Sequence, residues 1–249
     1  MPPALRRSMR LPHAAALVVG IILGASIFIQ SSEITRQVPN TTLVMLAWLA
    51  AGLLTFCGAL VCAELTSVFP QTGGVYVFLR QIFSPALGFL WGWAMFWSVH
   101  SGIIAAIAVI MARYIAYFAP LSETAIRMVA IATIVLLSAI NYLGVKLGGT
   151  VQVALTVIKV AAIFLMVLLF FTLGGRAHQT MLPELYTRDV SIGAFGLAVA
   201  AGLFAFGGWH MVTYLAGETE DPQHTIPRAL LLGTLTVTAC YMLLNAGYH

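Results

Sequence analysis

The sequence predicts an all-α integral membrane protein of about seven transmembrane helices, the first and sixth of them discontinuous. Three observations point there. Of 249 residues 61% are hydrophobic and 8% charged, against about 25% charged in a soluble domain. The apolar residues fall into runs of the length a bilayer requires, about 20 residues each. Two of these runs are interrupted at mid-depth by small residues, around Gly20 to Phe28 and at Phe204 to His210.

The short segment Met1 to Pro12 carries Arg6, Arg7 and Arg10, which favours a cytoplasmic N-terminus. The first span covers about His13 to Ile34, with Gly20 and Gly24 as a small-xxx-small pair. That spacing serves either close helix packing or a break in the helix. Glu33 and Arg36 follow in a polar turn with Pro39 and Asn40. The second span covers about Thr42 to Ala63, with Glu64 at its end, an interfacial carboxylate on the plain reading. Phe69 to Tyr76 is a Pro/Gly-marked loop or re-entrant piece. The third span runs from Pro85 to about Phe118, anchored by Trp91, Trp93 and Trp97, and is long enough to demand tilt.

The fourth span is expected over about Ile126 to Leu143 and the fifth over about Val151 to Leu173, with Lys159 inside it. An ammonium in that position either snorkels back to the interface or turns into the bundle towards acceptors. Gly174 to Asp189 is the most polar external stretch. The sixth span runs from about Ile192 to Leu215, and the seventh from about Arg228 to Leu244. Within the sixth, the adjacent Gly207 and Gly208 are costly in a helix because glycine loses the most backbone freedom on ordering. They serve either as a notch for a neighbouring helix or as a break that frees backbone carbonyl and N–H groups for a small polar solute.

Composition and motifs also limit function. The net charge of +4 on so few charged residues suits topology rather than nucleic acid. Cys57, Cys62 and Cys240 lie in apolar runs without metal-binding spacing, and no cofactor or metal is expected. His100 and His210 stand apart from carboxylates at helical spacing, so a membrane-embedded enzyme has little support.

Broken first and sixth spans separated by four continuous ones match a five-plus-five inverted-repeat plan, the LeuT-type fold. Gly20 to Phe28, Cys62 to Leu65, Gly73 to Tyr76, Leu87 to Trp93, Ile140 to Lys146, Phe204 to Trp209 and Pro222 to Arg228 resemble, in order, motifs of amino acid–polyamine–organocation (APC) permeases. The likeness is greatest to the L-type amino acid transporter branch. It implies alternating-access transport of an amino acid by a sodium-independent exchanger or permease in the plasma membrane, or the inner membrane of a bacterium. Residues 13–174 would form the first repeat and 175–249 the start of the second. The substrate carboxylate would meet N–H groups of Gly24, Ala25 and Ser26, and its ammonium the carbonyls near Ile21 and Ile22 and around Phe204, Ala205, Phe206 and Gly207. Phe204 resembles the aromatic gate, and Lys159 would stand where sodium-coupled relatives hold a sodium ion. Partners implied are the amino acid and the lipid bilayer. No disulfide-linked heavy chain is expected, because Ala119 to Thr124 contains no cysteine. Two departures are noted. Ser26 stands where the family has glycine, and the chain stops after the seventh span. The expectation is therefore the N-terminal part of a longer permease, one half of a split one awaiting its C-terminal half, or a non-transporting truncated subunit.

Overall fold

The computed structural model describes residues 7, 9–24, 26–143, 145–173 and 190–248, so the polar stretch Gly174 to Asp189 lies outside it. The described chain is helical. Its elements are α1 (Leu11–Ile22), α2 (Ser26–Gln37), α3 (Thr41–Val68), α4 (Val75–Ile82), α5 (Pro85–Ala94), α6 (Ser101–Phe118), α7 (Glu123–Leu143), α8 (Val145–Leu173), α9 (Ile192–Ala205) and α10 (Pro222–Tyr248). A π-helical turn, Met95–His100, joins α5 to α6, and a 3₁₀ segment, Trp209–Glu218, follows α9. Local chemistry sets several starts. The side chains of Asn40, Ser84 and Ser191 accept the N–H groups of Leu43, Leu87 and Ala194 at 3.1, 3.3 and 3.1 Å, capping α3, α5 and α9.

Among the described residues five helices are long and apolar enough to cross a bilayer, and α1 with α2, bent by 48° at their break, make a sixth. The apolar part of α8, Ala154–Phe170, stands where the remaining span was expected. Pro85–Phe118 forms one 34-residue span, as long as the sequence required. Two boundaries move. α3 continues to Val68, so Glu64 is an exposed residue within it rather than after it. α10 begins at Pro222, with Pro227 inside the helix.

The chain packs as two compact units. The smaller, Leu79–Leu155, has α6 on α7 around Ala108, Ala112, Ile126 and Ala130, with Arg113 and Glu123 paired at 3.5 Å. The larger, Met1–Phe78 with Thr156–His249, holds the main core, in which α3 and α1 lie on α10 and α2 and α3 on α9. Its helices approach through small residues. A Cβ on Gly233 would lie 2.5 Å from Val18, and one on Gly20 would lie 2.6 Å from Thr156 Oγ1. Gly20 is therefore a packing notch, one of the two readings open for the Gly20–Gly24 pair. At one end of this unit Met9 pairs with Thr219. The Met9 N–H donates to the Glu218 carbonyl (3.1 Å), the Glu220 N–H donates to the Met9 carbonyl (2.9 Å), and Arg10 contacts Glu220 at 3.1 Å.

Gly20→Val should destabilise the protein by about 1–3 kcal/mol, the usual cost of overpacking. Thr156→Ala should restore part of the loss. Thermal unfolding of the two single variants and the double variant in detergent measures both effects.

Candidate functional site

In α1 the helix ends where Leu23 takes φ −68° and ψ 81°. The Gly24 N–H then turns back to donate to the Ile22 carbonyl at 2.7 Å instead of continuing the helix. This leaves the Gly20 carbonyl without its i+4 donor, and Lys159 supplies one: its Nζ donates to that oxygen at 3.0 Å. Lys159 thus turns into the bundle rather than back to the interface.

The second break follows α9. The Phe206 N–H donates to the Gly202 carbonyl (3.2 Å), the Gly207 N–H to the Phe204 carbonyl (3.0 Å), and the 3₁₀ segment restarts with Met211 donating to Gly208 (3.0 Å). Gly208 has φ +95°, a conformation that side chains other than glycine rarely adopt. A Cβ there would also lie 2.5 Å from Ile21 Cγ2. Both readings of the double glycine therefore hold: the helix is broken, and Gly208 is also the notch into which the other broken helix packs.

One side chain joins the two breaks. The hydroxyl of Tyr241 on α10 lies 2.9 Å from the Ile22 carbonyl and 3.1 Å from the Ala205 carbonyl, fully inside the core. A hydroxyl carries one proton, so it serves one of these carbonyls at a time. The Ile22 oxygen already holds the Gly24 N–H, whereas the Ala205 oxygen keeps a lone pair for another donor. A donor-rich group such as an ammonium could use it.

The expected site residues are placed as follows. Ile21 rests on Gly208, Ile22 and Ala205 are buried with their carbonyls facing Tyr241, and Gly207 closes the first turn of the break. Phe204 is 61% exposed while Phe206 is 0% exposed, its ring packed on Trp48 and Tyr241. Of the three amides expected to hold a carboxylate, Gly24 is already bonded to Ile22, and Ala25 lies outside the described residues. Ser26 opens α2, where first-turn N–H groups have no acceptor within the helix and carry the positive end of its dipole. Among the described residues no three His, Cys, Asp or Glu side chains gather as a metal site.

Sequence reasoning missed Tyr241, and it did not distinguish which of Gly207 and Gly208 takes the left-handed backbone. The spacing held a signal for the first: Thr234, Thr238, Tyr241 and Asn245 recur every three or four residues, a polar stripe on one face of an otherwise apolar helix. For the second, two adjacent glycines do not reveal which one takes the left-handed conformation.

Gly208→Ala should be the more damaging of the two glycine changes, at about 1–2 kcal/mol for the left-handed backbone alone. Gly207→Ala should be milder, and Ile21→Ala should partly relieve the Gly208→Ala loss. Unfolding midpoints of these variants decide the order.

The comparisons with known proteins can be set beside this geometry. A family model described as amino acid permease matches residues 10–248. The serine/threonine exchanger SteT of Bacillus subtilis (strain 168) is 31% identical over 241 residues, covering 97% of this chain and 54% of its own. The human b(0,+)-type amino acid transporter 1 is 27% identical over 252 residues, covering 98% of this chain and 51% of that protein. The human large neutral amino acids transporter small subunit 2 is 28% identical over 255 residues, covering 98% and 47%. The chain thus spans about half the length of the curated relatives it matches. Built from helices joined by short connections among its described residues, broken at two glycine-marked points and matched over nearly its whole length, this multi-pass membrane protein belongs to the amino acid permease family of the APC superfamily.

Proposed function

We propose that this chain carries the substrate site of an amino acid transporter that works by alternating access, as a sodium-independent exchanger or permease and not as an enzyme. The observation that carries the reading is the joining of both helix breaks by one hydroxyl, which leaves main-chain acceptors beside the positive end of a half-helix. An α-amino acid offers the complementary groups, a carboxylate and an ammonium about one carbon apart. The carboxylate would sit at the start of α2, on Ser26 and the adjoining Ala25 and Gly24 amides. The ammonium would take the open lone pair at Ala205 and carbonyls near Ile21 and Phe204, with the exposed Phe204 ring closing over it. These groups belong to every α-amino acid, which agrees with relatives named for serine and threonine, for large neutral amino acids, and for cystine and glutamate.

In this reading residues 13–174 form the first inverted repeat and 175–249 begin the second. The protein lies in the plasma membrane with its N-terminus cytoplasmic, on the strength of Arg6, Arg7 and Arg10. A disulfide-linked heavy chain is not part of the proposal. Cys57 and Cys62 lie on α3, Cys240 on α10, and the loop from Ala119 to Thr124 contains no cysteine. A covalent heterodimer on a non-reducing gel that dissolves on reduction would contradict this.

Lys159 is assigned a coupling role. A fixed cation on the Gly20 carbonyl holds the end of α1 without a bound sodium ion. Hydrogen bonds to charged groups are worth about 1.5–3 kcal/mol, so Lys159→Ala should cut amino acid flux roughly tenfold or more while insertion changes little. The measurement is uptake into proteoliposomes in sodium and in choline. Wild-type flux that collapses in choline would defeat sodium independence, and normal flux in the variant would remove the role from Lys159.

A further inference from the structure

Trp48 lies on α3, is fully buried, and its Nε1 makes no hydrogen bond among the described residues. Its indole meets Tyr241 edge-on with centroids 5.2 Å apart and an interplanar angle of 68°, and Phe206 at 6.4 Å and 61°. Phe206 and Tyr241 in turn lie 5.0 Å apart. The three rings form one closed contact at the point where α3, α9 and α10 converge. Around Trp48 the α3 surface is small. Ala51 is so close to Gly202 that a Cβ there would lie 2.8 Å away, and a Cβ on Gly52 would lie 2.7 Å from Thr238. These close approaches fix both α9 and α10 against α3, and Trp48 fills the wedge between them.

Burial alone does not account for an indole in this place. Its Nε1–H is buried without an acceptor among the described residues, an unfavourable state that phenylalanine or leucine would avoid. What the indole supplies is reach: it lies in T-shaped contact with both the ring that carries the bridging hydroxyl and the ring that follows Ala205.

We propose that Trp48 is a positioning residue. By holding the rings of Tyr241 and Phe206 it sets where the hydroxyl of Tyr241 meets the Ile22 and Ala205 carbonyls, and hence the spacing of the two helix breaks. Its effect on amino acid affinity rests on the transporter reading above; its effect on the breaks does not. Affinity is governed from α3, a helix that supplies none of the proposed substrate-binding groups.

The test uses the reconstituted protein with Cys57, Cys62 and Cys240 replaced by alanine and Phe204→Cys as a reporter at the exposed end of α9. Alkylation of the reporter by a maleimide is followed in Trp48→Leu, Trp48→Phe, Tyr241→Phe and the double variant Trp48→Leu with Tyr241→Phe. Trp48→Leu and Tyr241→Phe should shift the rate in the same direction, the double variant no further than either, and Trp48→Phe by a smaller amount. In the protein retaining Phe204, Trp48→Leu should raise KM for amino acid flux by roughly three- to tenfold, the range expected for a lost aromatic pair, with little change in kcat. Independent, additive effects of the two substitutions on alkylation would overturn the proposal, as would a Trp48→Leu rate equal to the parent's. Coupled alkylation in a protein without flux would uphold the positioning role and count against the transporter reading. If Trp48→Leu does not insert, Trp48→Phe combined with Tyr241→Phe decides the coupling by the same criterion.

Discussion

A single buried hydroxyl holds this architecture together at its weakest point. Interrupting a helix inside a bilayer strands peptide groups where water cannot reach them, and each stranded group is expensive. Here two interruptions are brought together so that Tyr241 faces one freed carbonyl from each, Ile22 on one side and Ala205 on the other. Most of the remaining demand is met locally or by one cation. Gly24 turns back on Ile22, Gly207 on Phe204, Phe206 on Gly202, and Lys159 reaches the Gly20 carbonyl. One proton shared between two carbonyls makes this a satisfied but exchangeable arrangement. A break can then be stable in the fold without a partner for every carbonyl at every moment.

Bringing those groups within hydrogen-bond distance depends on packing rather than on the hydrophobic effect, because lipid tails are as apolar as the helix faces they would replace. The contacts that matter are correspondingly between glycines and alanine or β-branched residues: Gly20 with Thr156, Gly233 with Val18, Gly52 with Thr238, Gly202 with Ala51, and Gly208 with Ile21. Each lets two elements approach more closely than a side chain in place of the glycine would allow. The aromatic cluster of Trp48, Phe206 and Tyr241 fills the one place where three helices leave room for large rings. Hydrogen bonds and steric fit thus act as one system, and neither would hold its geometry without the other.

Several of these features are visible residue by residue in the sequence. The apolar runs mark the spans, since composition and length are all that a bilayer demands of them. The glycines at 20, 24, 207 and 208 mark where a helix is weakest, and Lys159 stands out because a charge in a span is costly. Other features are hidden for identifiable reasons. Gly20 and Gly24 look alike in sequence, yet one is a contact with α8 and the other a turn, a difference set by what lies opposite. Phe204 and Phe206 are two aromatic residues two positions apart in one motif. Helical phase sets them on opposite faces, about 200° apart, but only the packing decides which of the two faces is the core.

What the sequence by itself determined is therefore local: which stretches enter the membrane, and where the backbone within them cannot remain helical, because glycine content and apolar length act on the chain segment that contains them. What only the tertiary structure decided is which groups satisfy the interrupted backbone. Tyr241 is 219 positions from Ile22 and Lys159 is 139 from Gly20. At such separations nothing in the residue spacing records the pairing. The partners are selected by how closely α1, α8, α9 and α10 can pack, and that is a property of the assembled helices.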